Sequence, residues 1–441
     1  MPYGRLLLTL ASMCAVLALN AQINIQERLE QKAKERMERK VDRSLDKGLD
    51  KAEEGVDKGA KEATKGKKGK DASSGSGGGE DLDGNTPVAG SATGGSNPAT
   101  PATLKSYGKF DFVPGEKLLA YEDFTQDAIG DFPAKWNTNS SGEVVTISGR
   151  DERYLKLSGA GIFYPEFLGE IPENATVEFS AAVLDAYNFY CSGITLHFIP
   201  DASNLLRYGY ESRVSVTFNP QDASSSSGST AVLVHNNSGE QLMENGRAQD
   251  GFVHSGISPF ARISVWRQKN RLRVYINEEK VWDLPRAFQD GVKYRMIMES
   301  GSCEESIPYV GELRVAAGAP DTRNKLITEG RLVTRGILFD SGSDRIKPES
   351  HGTLKDIATV LQENAGVRVR IIGHTDSDGD AAKNQELSKR RAASVKEALA
   401  REFGIDAGRL ETDGKGQADP AGPNDSPQGK ANNRRVEFVK L

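Results

Sequence analysis

The sequence predicts a multidomain chain: a β-sandwich (jelly-roll-like) followed by a small α/β domain, both preceded by a charged helix and a flexible linker. Three observations predict it. A tract of Gly, Ser, Ala, Thr, Pro and Asn separates a charged N-terminal stretch from the rest. The middle holds short, alternating apolar runs punctuated by turn residues. After Asp321 the texture changes to strands interleaved with amphipathic helices. At 441 residues the chain is too long for one ordinary domain.

Met1 to Arg5 carries one positive charge, Leu6 to Leu19 is mainly apolar, and Asn20, Ala21 and Gln22 return to small and polar residues. That run is short for a membrane span and reads as a secretory signal peptide, residues 1–21, cut after Ala21. A lipoprotein role for Cys14 is not expected, because Ser12 and Met13 make a poor lead-in. Residues 22–65 are dense in charge, with Leu29, Ala33, Met37, Val41, Leu45 and Leu49 at four-residue intervals. This is a helix with a narrow apolar seam, weakened by Gly48, Gly55 and Gly59, that either stays solvated or self-associates. Residues 66–106 hold hardly a large apolar side chain and form a tether. The net charge of -5 gives no reason to expect nucleic acid.

Residues 107–317 form the sandwich. Thr176 to Ala182, Gly193 to Phe198, Arg213 to Phe218, Thr230 to Asn236, Ala261 to Gln268, Arg271 to Ile276 and Tyr294 to Met298 are strand-like, with Gln268, Lys269 and Asn270 turning a hairpin. Tyr121 to Phe124, Gly130 to Pro133, Trp136 and the strand from Arg271 are similar to concanavalin-type or laminin-G-like sandwiches, which bind glycans or serve as spacers. Trp136, Trp266 and Trp282 are candidates for sugar stacking, with core packing the stronger expectation for at least two. Glu166, Glu170 and Glu173 are close in sequence, but nothing marks a catalytic pair. Cys191 and Cys303 are a candidate disulfide in an exported chain.

In residues 332–441 the expected order is β-α-β-α-β-β. The strands are Gly336 to Phe339, Val367 to Ile371, Arg409 to Thr412 and Arg435 to Val439. One helix face is marked by Leu354, Ile357, Ala358 and Leu361; a second helix runs to Phe403, stopped by Gly404. Polar residues concentrate where the strand from Val367 ends. Asp376 offers a carboxylate for an ammonium and Arg391 a planar fork for a carboxylate, so an amino-acid head group fits between them. Composition alone ranks a structural Asp376–Arg391 salt bridge first.

Ordered matches then decide the reading. They are Phe339-Asp340, Ile346, Gly373-His374-Thr375-Asp376, Gly379, Asn384, Leu387-Ser388, Arg391-Ala392 and Val395, then Gly414-Lys415-Gly416, Pro420, Asn424, Gly429 and Asn433 to Phe438. The segment resembles the OmpA-like C-terminal domain, the peptidoglycan-associating module of envelope proteins. The resemblance implies that Asp376 and Arg391 hold the amino and carboxyl groups of diaminopimelate in the peptide stem. Asn384 and Ser388 would support the pocket, Thr375 and Leu387 would wall it, and one of Arg434 and Arg435 would face it. Gln417, Lys430 and Ser341-Gly342 depart from the family pattern.

The expectation is a non-enzymatic protein, without cofactor or metal, that binds peptidoglycan from the periplasm and is associated with the outer membrane and cell wall. Another outer-membrane or periplasmic protein, or a glycan, would meet the middle domain. The alternative is a carbohydrate-binding or polysaccharide-processing protein acting through the sandwich, with the tail as its mount. A third reading is a structural protein assembled through the N-terminal helix.

Overall fold

The computed structural model describes residues 110–441 except 185–186, 189, 201–204, 207–211, 223–225, 237, 255–256, 304–305 and 319–320. The predicted signal peptide, charged helix and linker lie outside the described residues. No helix among the described residues is long and apolar enough to cross a membrane.

Period-two alternation builds the middle region. Its strands are β1 (Lys117–Glu122), β2 (Trp136–Thr138), β3 (Glu143–Thr146), β4 (Arg153–Lys156), β5 (Gly161–Pro165), β6 (Asn174–Val183), β7 (Ser192–Pro200) and β8 (Arg213–Asn219). There follow β9 (Gly228–His235), β10 (Gln241–Gln249), β11 (Phe260–Gln268), β12 (Arg271–Ile276), β13 (Glu279–Leu284), β14 (Tyr294–Gly301) and β15 (Pro308–Ala317). One antiparallel sheet runs β13-β12-β11-β6-β15-β4-β3 with β1 also on β15; the other runs β10-β9-β8-β7-β14-β5-β2.

Val177, Phe179, Ala181, Ile263 and Val265 of the first sheet and Leu196, Phe198, Val216 and Phe218 of the second share one buried core. Burying each large side chain contributes roughly 1.5–3 kcal/mol, so this face sets the register. The intervening residues of the first sheet, Glu178, Arg262 and Arg314, therefore lie on its outer face. Cys191 and Cys303 are disulfide-bonded with Cα atoms 5.8 Å apart, closing the end of the paired strands β7 and β14.

The expected strands are present, each within a few residues of its predicted bounds. Trp136, Trp266 and Trp282 are all buried, so none is available to stack on a sugar. Glu166, Glu170 and Glu173 are exposed, the first bonded to Asn137 and the second to Lys293. The polar edge strand β10, exposed over most of its length, was not expected because it lacks an alternating apolar face.

The C-terminal sheet has the order β16-β19-β17-β18, from β16 (Arg331–Thr334), β17 (Val369–His374), β18 (Leu410–Gly416) and β19 (Val436–Lys440). Only β17 and β18 run parallel. Helices α1 (His351–Glu363) and α2 (Ala381–Phe403) share an apolar core with it through Leu354, Ile357, Leu361, Val395 and Leu399. Asp380 caps α2 by accepting from the Lys383 N–H, and Gly404, at φ 69°, ends it in the left-handed conformation.

Two expectations are corrected. The first strand is Arg331–Thr334, not Gly336 to Phe339, which joins no sheet: the Leu338 N–H donates to the Ser350 hydroxyl at 2.8 Å, its C=O accepts the Lys347 N–H at 2.8 Å, and Phe339 makes a single antiparallel bridge to Ile346. A short third helix, α3 (Pro427–Asn433), also forms, with Ser426 as its cap and Pro427 in its first turn.

Candidate functional site

The site forms where β17 ends against the first turns of α2. Close approach of helix to sheet depends on glycine: a Cβ at Gly373 would lie 2.2 Å from the Ser388 carbonyl oxygen. Ser388, fully buried, accepts the Gly416 N–H at 2.9 Å and donates to the Gln385 carbonyl at 2.8 Å. Its hydroxyl ties α2 to β18 and does not reach the cavity wall. With the helix seated there, Thr375, Asp376, Asn384, Leu387 and Arg391 share one cavity of about 1080 Å³.

Asp376 is nearly buried, and its ion pair is with Arg434, Nη1 to Oδ2 at 2.6 Å, not with Arg391. The structural pair favoured by composition is thereby replaced. Its other oxygen accepts the Asp378 N–H at 3.2 Å. Arg434 also donates to the Tyr121 hydroxyl at 3.1 Å, with its guanidinium 5.4 Å from that ring. Burial opposes the charge on Arg434, but Tyr121 and Asp376 more than offset this and raise its pKa.

Arg391 is held by backbone. Nε donates to the Ser343 carbonyl at 2.9 Å and Nη2 to that of Asp340 at 3.3 Å, with the guanidinium 4.9 Å from the Phe339 ring. The loop that departs from the family pattern thus contributes main-chain carbonyls, which do not depend on side-chain identity. Burial pulls the Arg391 pKa down, Asp376 opposes this and Arg434 adds to it.

Asn384 donates to the Asp378 carbonyl at 2.9 Å and the Gln417 side-chain oxygen at 2.8 Å, fixing the turn that carries Asp376. Gln417, where the family pattern has Glu, still supplies the acceptor. Thr375 donates to the Asp376 carbonyl at 2.8 Å, and Leu387 lines the cavity. Arg434 engages the acid, whereas Arg435 is buried in a bond to Glu437 at 2.8 Å and another to the Asp419 carbonyl at 3.0 Å.

His374, Asp419 and Glu437 lie close enough to share a cation. Arg435 already provides the positive charge there, pairing with both carboxylates. Neither ring nitrogen of His374 has a hydrogen-bond partner. Burial, aided by Arg435, pushes its pKa down to about 4, so the ring is neutral near pH 7.

The cavity has a second wall. Tyr121, Arg262, Glu312 and Arg314 of the sandwich line it together with the C-terminal residues. Sequence reasoning did not place them at the site, since they lie on strands separated by long intervals and outside the C-terminal motif.

Residues 338–434 match the OmpA family. A probable lipoprotein, YiaD, of Escherichia coli K12 is 46% identical over 26% of this chain and 58% of its own length. An outer-membrane lipoprotein, YfiB, of Pseudomonas aeruginosa is 42% identical over 23% of this chain and 61% of its own. The chain thus spans about three fifths of these curated relatives. A solved structure described as the cell wall anchor of the T6SS from Pseudomonas aeruginosa is 34% identical over 25% of this chain and 80% of its own, at a TM-score of 0.23.

Proposed function

We propose, from the premise that residues 338–434 are an OmpA family domain, that this chain binds peptidoglycan without covalent attachment and anchors its other segments to the cell wall. The proposed ligand group is the diaminopimelate of the peptide stem. Its ammonium would sit on the Asp376 carboxylate, which keeps acceptor capacity beyond the Arg434 bond. Its carboxylate would meet the Arg391 fork, whose remaining N–H groups are aimed by the Ser343 and Asp340 carbonyls.

The observation that carries this reading is the convergence of Asp376 with two arginines in one cavity, at the positions the family resemblance marks. The outer-membrane and lipoprotein descriptions of the relatives support association with the envelope; placement in the periplasm at the cell wall is part of the proposal. Chemistry on a bond is not part of the proposal, since the site offers opposed charges and no assembled nucleophile and base. The sandwich reading loses its sugar platform with the three buried tryptophans.

Co-sedimentation with purified peptidoglycan tests the proposal. The full chain should pellet with it, and the Asp376→Ala, Arg391→Ala double variant should stay in solution. Equal sedimentation of the folded double variant would overturn the assignment.

A further inference from the structure

The same cavity carries a second set of charges on its sandwich wall. Strict alternation along β15 would turn Glu312 into the core, yet Val310 and Leu313 both lie in the core. The register of β15 against β6 slips between Gly311 and Arg314, and Glu312 sits in this bulge at φ 35°. The strand alongside β15 changes there from β4 to β1. A bulge of this kind re-aims a side chain, and here Glu312 lines the cavity.

Cations converge on it. Arg262 lies 3.6 Å from Glu312 and 3.6 Å from Glu178, and Arg314 lies 3.9 Å from Glu178. Burial works against the Glu312 charge, but Arg262, Lys347, Arg434 and Arg314 together hold its carboxyl below the usual carboxylate range. The Arg262 side chain is only 10% exposed, and its Nη2 has no hydrogen-bond partner. Lys347 makes no ion pair within 4 Å among the described residues. Across the lining, ten arginines and lysines face eight carboxylates. Glu178 and Glu437, just behind the lining, balance Arg262, Arg314 and Arg435, so the unmet need is local. The Arg262 Nη2 lacks a hydrogen-bond acceptor and Lys347 an ion-pair partner among the described residues, and an occupant with a carboxylate of its own would supply both.

We propose that the sandwich completes the ligand site with a second carboxylate subsite at Arg262 and Lys347, receiving a free carboxylate of the stem residue adjoining the diamino acid. This rests on the stem-peptide reading and extends it. At about 1080 Å³ the cavity is larger than one amino-acid residue requires and reaches the upper range of small-ligand sites. Tyr121 joins the halves by bonding Arg434, so the two walls are held as one site. Glu312 orients Arg262 and sets a limit on how much anionic charge the subsite takes.

Calorimetric titration of the full chain tests this with three probes: diaminopimelate, glutamate γ-linked to diaminopimelate, and that dipeptide with the glutamate α-carboxylate amidated. The free-acid dipeptide should bind about tenfold tighter than its amide. Lys347→Gln should lose several-fold of that preference and leave diaminopimelate unaffected. Glu312→Gln should increase the preference, a gain that misfolding would not produce. Asp376→Asn should weaken all three probes.

Equal affinity for acid and amide, or a preference unmoved by both Lys347→Gln and Glu312→Gln, would overturn the second subsite alone, with the Asp376 effect still standing. No binding of any probe, or binding insensitive to Asp376→Asn, would overturn both readings.

Discussion

Replacing Asp376 by Asn keeps the shape of the side chain and removes its charge. The carboxylate is 13% exposed and shares one oxygen with Arg434 at 2.6 Å, so a ligand ammonium would be held in a partly dehydrated setting. A hydrogen bond between charged groups in such a place contributes about 2–3 kcal/mol. At 1.4 kcal/mol per decade, affinity for peptidoglycan should fall about 30- to 140-fold. The folded state should lose less. Arg434 is 37% exposed and keeps the Tyr121 hydroxyl, and the Asn amide oxygen still accepts a bond, so the stability cost should be about 1 kcal/mol. Sedimentation isotherms on purified peptidoglycan, paired with thermal unfolding, separate the two effects. A folded Asp376→Asn protein binding within about twofold of the parent would refute the reasoning, because an amide cannot replace a carboxylate opposite an ammonium.

Three other outcomes are expected. Arg391→Lys retains the charge but loses the fork and both carbonyl bonds, so it should bind peptidoglycan about tenfold more weakly; parental affinity would mean that only a point charge is used. Gly373→Ala should destabilise the protein by roughly 1–3 kcal/mol, read as a lower Tm, because its Cβ would press on the Ser388 backbone; an unchanged Tm would show that helix α2 can give way. His374, 1% exposed, has its pKa lowered to about 4 from 6.5, first by burial and then by Arg435. The unfolded chain therefore takes up a proton the native protein refuses. Stability should fall from pH 6.5 towards pH 4 by up to about 3 kcal/mol, and the loss should be absent in His374→Gln. Denaturant titrations at pH 7 and 4.5 check this; parallel losses in both proteins would exclude His374.

Much of the architecture was legible because its signals are local. Leu354, Ile357 and Leu361 announce a helix face, Ile263 and Val265 against Leu272, Val274 and Ile276 announce a hairpin, and Gly404 announces a helix stop. The strand expected at Gly336 to Phe339 failed because its backbone is satisfied locally, by the Ser350 hydroxyl, the Lys347 N–H and a one-residue bridge to Ile346, instead of by a sheet neighbour. The polar strand β10 went unseen because hydrogen bonding to β9 places it without apolar alternation. At the site, the positions of Asp376, Arg391 and Asn384 followed from ordered matches within one segment. Nothing in that segment distinguished Arg434 from Arg435.

The sequence by itself determined the two kinds of domain and, through the ordered family matches, the acid and arginine of the candidate pocket, since each is written in neighbouring residues or at a fixed helical or strand period. Only the tertiary structure decided which arginine meets Asp376, that Ser388 serves the fold instead of the cavity, and that Tyr121, Arg262 and Glu312 form its opposite wall. Those outcomes depend on where strands far apart in the chain come to lie and on which buried charges find partners there. Long-range packing sets both.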